Sequence, residues 1–310
     1  MADRLAGLRL VDPALTNLAR GYRNGQMVAE ELFPIVGNLE KEAGVYPQFS
    51  KEAFYLYATE RGIRANSNRV NPAGITPLTY NMTEHDLEYP IDYREDEEAI
   101  FPLQAHATNV VTSAIQLRRE KLAADLAQNT ANYASGNKLT LAGDDCWSEP
   151  GSDPVGVIED GKEQIRATIA QYPNTAVIGP KTLKALKKHP ALIERIKYSM
   201  KGVLTIELLQ EIFDIPKIIV GRMVYSTDAG VVTDIWSDNM VMAYVPEATS
   251  GQERTMYEPS FGYTFRKKDR PIVDKYTPDG GKIQLIRATD LFDIKMPGAE
   301  GGYLVFNTVK

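Results

Sequence analysis

The 310-residue sequence is poor in residues that hold metals or react as nucleophiles: it has one cysteine, Cys146, and three histidines. A single cysteine cannot close an internal disulfide and leaves no thiolate cage, which fits a reducing compartment. His85, His106 and His189 lie far apart, none with a Cys, His or acidic partner at metal-ligand spacing, so each reads as a surface or helix histidine. A Gly-x-Ser-x-Gly elbow, a Walker loop, a His-Glu-x-x-His helix and a dinucleotide glycine fingerprint are all missing. No window approaches the ~20 apolar residues that span a bilayer, and the opening MADRLAGLRLVDPAL breaks its apolar stretches with charges, unlike a signal peptide. A basic surplus is absent too. Lys and Arg total 35 against 41 Asp and Glu, a net charge of −6, the wrong sign for a chain devoted to neutralising phosphates. These absences lead us to expect a cytoplasmic protein with no catalytic residues, cofactor, metal or membrane contact.

With 43% hydrophobic and 25% charged residues the chain can bury a sizeable core. Its length exceeds the roughly 250 to 300 residues at which single cores stop growing, which predicts subdivision. Residues 1–45 scatter Leu15, Leu18, Tyr22, Leu32, Phe33 and Ile35 among Gly21, Gly25, Pro34 and Gly37, and read as an arm with one short helix lying across its own body or a neighbour. Between 46 and 98 two period-two sets, Leu78/Tyr80/Met82 and Leu87/Tyr89/Ile91/Tyr93, flank the polar run Thr83, Glu84, His85, Asp86 and predict two antiparallel strands. Before them GIRANSNRVNPAGITP, residues 62–77, holds three Asn, two Gly and two Pro, and almost nothing that could make a core. Such a long excursion is usually functional or ordered by a partner, and the expected partner over 46–98 is another copy of the chain.

Residues 103–129, LQAHATNVVTSAIQLRREKLAADLAQN, contain no Gly or Pro and follow Glu95–Glu98 and Pro102, as suits a helix start. Leu103, Ala107, Val110, Ala114 and Leu117 form one stripe, and Val111, Ile115, Leu122 and Leu126 a neighbouring one. At 1.5 Å per residue this helix would run ~40 Å. After a Gly-, Asn- and Asp-rich break over 129–154, the periodicity predicts helices over Val157–Ala170, Pro180–Leu186, Pro190–Tyr198 and Ile206–Phe213, with a strand at Ala176–Ile178. Strands are predicted at Ile218–Val220, Met223–Tyr225, Val231–Trp236, Met240–Val245, Phe261–Phe265, Ile283–Arg287 and Tyr303–Val305, paired mainly antiparallel. The class is α+β.

Three groups of residues bear on chemistry. Gly143, Asp144, Asp145 and Cys146 resemble a carboxylate or thiolate site, but an Asp pair in a Gly-rich stretch is ordinary turn chemistry. Lys181, Lys184 and Lys188 share a helical stripe, with Lys187, Arg195, Lys197 and Lys201 nearby and only Glu194 opposing. The readings are a solvated face, which the lack of interleaved aromatics favours, or contact with nucleic acid or an acidic neighbour. Finally, Arg61, Arg64 and Arg69 precede an acidic stretch holding Glu84, Asp86, Glu88, Asp92, Glu95, Asp96, Glu97 and Glu98. In a head-to-tail ring the basic part of one copy can meet the acidic part of the next and fix register; plain solubility explains the same charges as well.

The order of segments resembles the major capsid proteins of tailed bacteriophages, the Hong Kong 97-type family that also includes the encapsulin shells. The likeness covers almost the whole chain. An arm precedes an extended loop opening AGVYPQFSKEAFYLY, then a spine helix LQAHATNVVTSAIQLRREKLAADLAQN, and three phrases match the family's later segments: CWSEPGSDPVGVIEDGKEQI, NTAVIGPKTLKALKKHPALIERIKY and EPSFGYTFRKKDRPIV. The resemblance implies an arm over 1–45, an extended loop over 46–98, a peripheral domain over 99–152 and 246–295, and an axial domain over 153–245 and 296–310. It implies self-assembly into hexamers and pentamers that tile an icosahedral shell around double-stranded DNA, with only weak non-specific DNA contact and no active site.

Scaffolding and portal proteins are the implied partners, with decoration proteins an open addition, and the implied location is the virion capsid, assembled in the host bacterial cytoplasm. Arg61, Arg64, Arg69, Glu95, Asp96, Glu97 and Glu98 are the candidate intersubunit contacts. Some relatives crosslink a loop lysine to a neighbour's asparagine; the only lysine in this loop is Lys51, near its base, which argues against crosslinking here. The rival readings are an encapsulin-type compartment, another phage ring or connector protein and, least favoured, an enzyme without announced motifs.

Overall fold

The computed structural model describes residues 11–21, 25–48, 59–64, 66–69, 76–196, 204–227, 229–247, 258–278 and 280–310. In chain order the helices are α1 (Pro13–Gly21), α2 (Ala29–Leu32), α3 (Tyr93–Glu98), α4 (Leu103–Ala127), α5 (Pro154–Ile169), α6 (Pro180–Lys188), α7 (Pro190–Ile196) and α8 (Ile206–Phe213). The strands are β1 (Ile35–Leu39), β2 (Ala43–Gln48), β3 (Thr76–Asn81), β4 (Thr83–Asp92), β5 (Lys138–Thr140), β6 (Thr175–Ile178), β7 (Lys217–Val220), β8 (Val224–Ser226), β9 (Val232–Asp234), β10 (Met240–Ala243), β11 (Tyr263–Lys267), β12 (Ile272–Tyr276), β13 (Ile283–Lys295) and β14 (Gly302–Phe306).

Local signals set the helix ends. Asp12 caps α1, its Oδ1 accepting from the amides of Ala14 at 2.9 Å and Leu15 at 3.1 Å. Helix α5 has Asp153 as its cap, with Pro154 in the first turn where no amide donor is needed, and it stops at Ala170, whose φ of 55° is left-handed. Helix α8 is capped by Thr205 and ends at Asp214 with φ 50°.

Two five-stranded sheets organise the chain. In the first, β13 carries β4 along one edge, antiparallel over Ile283–Phe292; its other edge holds β12 against the N-terminal half and β11 against the C-terminal half. Strand β1 extends this sheet beyond β11 in parallel. Alternation gives the sheet two characters. Ile286, Ala288 and Phe292 of β13 face α4 and pack with Ala107, Val111 and Ile115, while Leu291 on the opposite face joins Val36, Tyr263 and Phe265 under the β2–β3 ribbon.

The second sheet has the order β5-β14-β10-β6-β7. Ala176, Ile178, Met240, Met242, Tyr303 and Val305 project to one side, into a core shared with α5, α6, α7 and α8. Val177, Val241, Ala243 and Leu304 project to the other, against Ala123, Ala124 and Ala127 at the end of α4. Those three alanines are fully buried, so the helix backbone lies close to the sheet. Helix α4 thus bridges both sheets.

Four expectations need correction. The segment 1–45 is more than an arm with one short helix: its described part holds α1, α2 and β1. Leu32, Phe33, Val36 and Leu39 are buried, so this stretch is bound into the body by its own apolar side chains. The predicted loop over 46–98 is shorter, because Thr83–Asp92 forms β4 inside the first sheet and Ile91 is core. The polar run Thr83–Asp86 is therefore strand: Glu84 and Asp86 lie on the face away from α4, and His85 stacks on Phe292 at 4.2 Å. The two predicted strands do not pair with each other; β3 pairs with β2 and β4 with β13.

Lys138–Thr140, expected in the peripheral domain, forms the edge strand beside β14 in the second sheet. Lys51, Lys197 and Lys201 lie outside the described residues.

Candidate functional site

No three His, Cys, Asp or Glu residues converge as a metal cage among the described residues, and no described helix is long and apolar enough to cross a membrane. One pair has the look of catalysis. Ser152 Oγ lies 3.1 Å from His189 Nε2. The serine hydroxyl also donates to the Glu149 carbonyl at 2.9 Å, which commits its single proton and leaves His189 Nε2–H as the donor toward Oγ. Nδ1 of the buried His189 meets no hydrogen-bond partner among the described residues, so nothing orients the ring as a base. The pair is a structural tie. Asp144 and Asp145 sit in a single 3₁₀ turn behind Gly143 at φ 60°, and the buried Cys146 contacts the Asn307 carbonyl at 3.6 Å, which is turn chemistry.

The surfaces carry more. β2 and β3 form a two-stranded ribbon whose root is pinned by rings: Tyr80 stacks on Phe265 at 4.8 Å and Tyr46 lies 4.9 Å from it. Burial pushes the Tyr46 hydroxyl up to about 12. Gly44 permits the fit, since a Cβ there would stand 2.5 Å from the Tyr80 hydroxyl. Beyond the ribbon, residues 59–64 and 66–69 are all exposed, among them Arg61, Arg64 and Arg69, and Ile63 is 96% exposed. Within this stretch Arg64 adopts φ 66° and the Asn68 side chain donates to the Glu60 carbonyl at 3.1 Å.

Glu95, Asp96, Glu97 and Glu98 are brought together on α3, every side chain of which is exposed. Asp92 and Glu95 form a reciprocal cap: the Asp92 carboxylate accepts from Arg94 N at 3.0 Å, and Glu95 Oε2 accepts from Asp92 N at 3.2 Å. Among the described residues Asp96, Glu97 and Glu98 make no ion pair within the chain. Apolar groups adjoin them: Tyr93 and Ile283 sit at the β4–β13 end, and Ile100 and Phe101 follow the helix, all four exposed. Among the described residues no ion pair joins Arg64 or Arg69 to these acids within the chain.

The sequence reading missed the polar centre of α4. Glu120, 1% exposed, accepts hydrogen bonds from Val28 N at 3.0 Å, Ala29 N at 2.8 Å and Trp236 Nε1 at 2.6 Å. It therefore caps α2 from another element. Next to it Arg119 pairs with Glu30, and Arg266 grips Asp290 with bonds of 2.8 and 2.5 Å. Burial raises the Glu120 carboxyl above its usual range, against the pull of the Trp236, Val28 and Ala29 hydrogen bonds and of Arg119. The signal was the pair Arg119–Glu120 at the end of a buried stripe, where charge needs a partner.

The profile of the family described as phage major capsid protein E matches residues 38–279. The major capsid protein of Burkholderia phage BcepMu is 55% identical over 302 residues, covering 97% of this chain and 98% of that protein. A crystal structure of a phage-related protein from Bordetella bronchiseptica RB50 superposes with a TM-score of 0.80 at 30% identity, covering 97% of this chain and 98% of the other. The capsid of cyanophage P-SCSP1u shares the fold alone, at a TM-score of 0.58 and 10% identity over 92% of this chain and 89% of the other. With the family profile matched over most of the chain, a major capsid protein 55% identical along its length and a solved relative that shares two sheets bridged by one long helix, this chain belongs to the phage major capsid protein E family and is a structural protein of the Hong Kong 97-type fold.

Proposed function

We propose that this capsid protein assembles with copies of itself into hexamers and pentamers that close as an icosahedral shell around double-stranded DNA. Contact between the excursion of one copy and α3 of the next sets the register. The observation that carries this reading is a pair of exposed, oppositely charged segments, Arg64 and Arg69 on one and Asp96, Glu97 and Glu98 on the other, with no ion pair between them in their own chain among the described residues. Ile63 beside the basic residues, and Ile100 and Phe101 beside the acids, add apolar surface inside a charged rim, the usual anatomy of an interface. Complementary charge steers encounter and rejects wrong registers more than it adds affinity. Assembly in the host cytoplasm, with scaffolding and portal partners, belongs to the same reading.

Electron microscopy of the expressed chain tests it. Closed shells are the expected result from the chain alone or with its scaffolding partner co-expressed, and a stable monomer at high concentration under both conditions overturns it. Particles from infected or induced host cells should protect double-stranded DNA from nuclease; protected protein cargo instead would favour a compartment. The double variant Arg64→Glu, Arg69→Glu should fold as the parent does yet fail to form shells, and normal particles from it would remove the charge-register contact.

A further inference from the structure

Helices α6 and α7 pack Thr182, Leu183, Leu186 and Leu192 into the core of the second sheet, with His189 buried between them. Their outer side is exposed at Lys181, Lys184, Lys187, Lys188 and Arg195, with Glu194 the one acid in the two helices. Among the described residues none of the five cations makes an ion pair. Five positive charges within fifteen residues run against a chain whose net charge is −6.

Helix electrostatics accounts for part of this. Lys187 and Lys188 occupy the last turn of α6, where the dipole favours cations. Lys181 has no such reason: it stands in the first turn, where a cation is disfavoured, and no acid accompanies it there. Lys184 lies one turn further on the same stripe. Side-chain type then separates the partners such a face could meet. Lysine is depleted at protein–protein interfaces and binds phosphate as a point charge without demanding a fixed geometry. No aromatic residue is interleaved to stack unpaired bases, so the face fits a duplex backbone better than a single strand.

Resting on the reading of the chain as a shell subunit, we infer that the outer face of α6 and α7, with Lys181, Lys184 and Lys188 at its centre, is the contact for the phosphate backbone of the enclosed double-stranded DNA. The contact is sequence-independent and electrostatic, so it holds DNA against the shell without fixing its register.

The test uses unassembled full-length subunit isolated by size exclusion, titrated with a fluorescent duplex over a series of NaCl concentrations. The triple variant Lys181→Gln, Lys184→Gln, Lys188→Gln should lower the slope of log affinity against log salt by about 2.7, roughly 0.9 for each phosphate that a lysine no longer neutralises. A control triple variant at exposed lysines elsewhere, Lys41→Gln, Lys268→Gln, Lys282→Gln, removes the same charge and should leave the slope near the parent's. An unchanged slope in the first variant, or an equal fall in the control, overturns the inference. Shell formation by the parent is scored separately under the microscope, so failure of the capsid reading is distinguished from failure of this contact.

Discussion

Glu120 joins three parts of the chain that lie far apart in sequence: the amides that open α2, the middle of α4, and the Trp236 indole near the second sheet. All of its partners are donors. Glu120→Gln would turn an amide NH2 toward at least one of them and leave buried donors unpaired, so stability of the unassembled subunit should fall by about 2–4 kcal/mol in urea denaturation. The carboxyl also imposes a pH dependence. Its folded pKa lies above the ordinary 4.5 because burial penalises the charge. The unfolded chain therefore releases this proton first, and stability drops as pH rises from 4.5 through the folded value. Asp12 has the opposite sign: the Leu15 amide, then Lys275, hold it below its ordinary 3.8, so its contribution is present above 3.8 and is lost as pH falls through the depressed value. Urea midpoints across about pH 3 to 8 should lose the decline above pH 4.5 in Glu120→Gln and soften the acid loss in Asp12→Asn, and unchanged profiles would refute both assignments.

At the scale of elements, α4 tests whether close approach to the second sheet holds the two sheets as one body. Ala124 is fully buried beside Trp236 and Val241, so Ala124→Leu overpacks and should cost about 1–3 kcal/mol by urea denaturation, while the exposed Ala114→Leu should cost little. Gly179 is a second such point. A Cβ there would lie 1.9 Å from the Ser237 carbonyl oxygen, which is backbone and cannot swing away, so Gly179→Ala should destabilise by at least a comparable amount.

Much of this was legible in the sequence. The spine helix, the helices of the second core and most strands follow periodicity, and Ile206–Phe213 coincides with α8 because Thr205 and the apolar run mark it clearly. Pairing was less legible. The start of β4 hides because half of the strand faces away from the core: periodicity marks Leu87–Tyr93, but Glu84 and Asp86 look like loop in sequence, although Asp86 and Glu88 sit beside Arg287 on the outer face, where Tyr276 donates to Glu88 at 2.6 Å. Strand β12 hides for the same reason, since its Asp274 is buried as the bidentate partner of Arg287. The candidate interface residues were legible as charge and exposure. Their proposed meeting would be a property of two chains, which one sequence cannot display.

For the whole molecule, the proposed register contact has a consequence that depends on ring parity. Consider subunits of one kind with Arg64→Glu and Arg69→Glu, and of a second kind with Asp96→Lys, Glu97→Lys and Glu98→Lys, which leaves Glu95 to cap α3. The first kind carries acids on both contact segments and the second carries bases on both, so each repels itself in a head-to-tail ring. Mixed one to one, they attract wherever the two kinds alternate. Alternation closes in a ring of six and is frustrated in a ring of five, which must place at least one like-charged pair side by side. The mixture should therefore recover hexamers and form sheets or open tubes, with few closed shells, while either variant alone stays unassembled; added salt above ~0.5 M should weaken the distinction as screening shortens the reach of these charges. Negative-stain images of the two variants apart and together decide it: closed shells from either variant alone, or no rings from the mixture, would show that these segments do not meet across the subunit boundary.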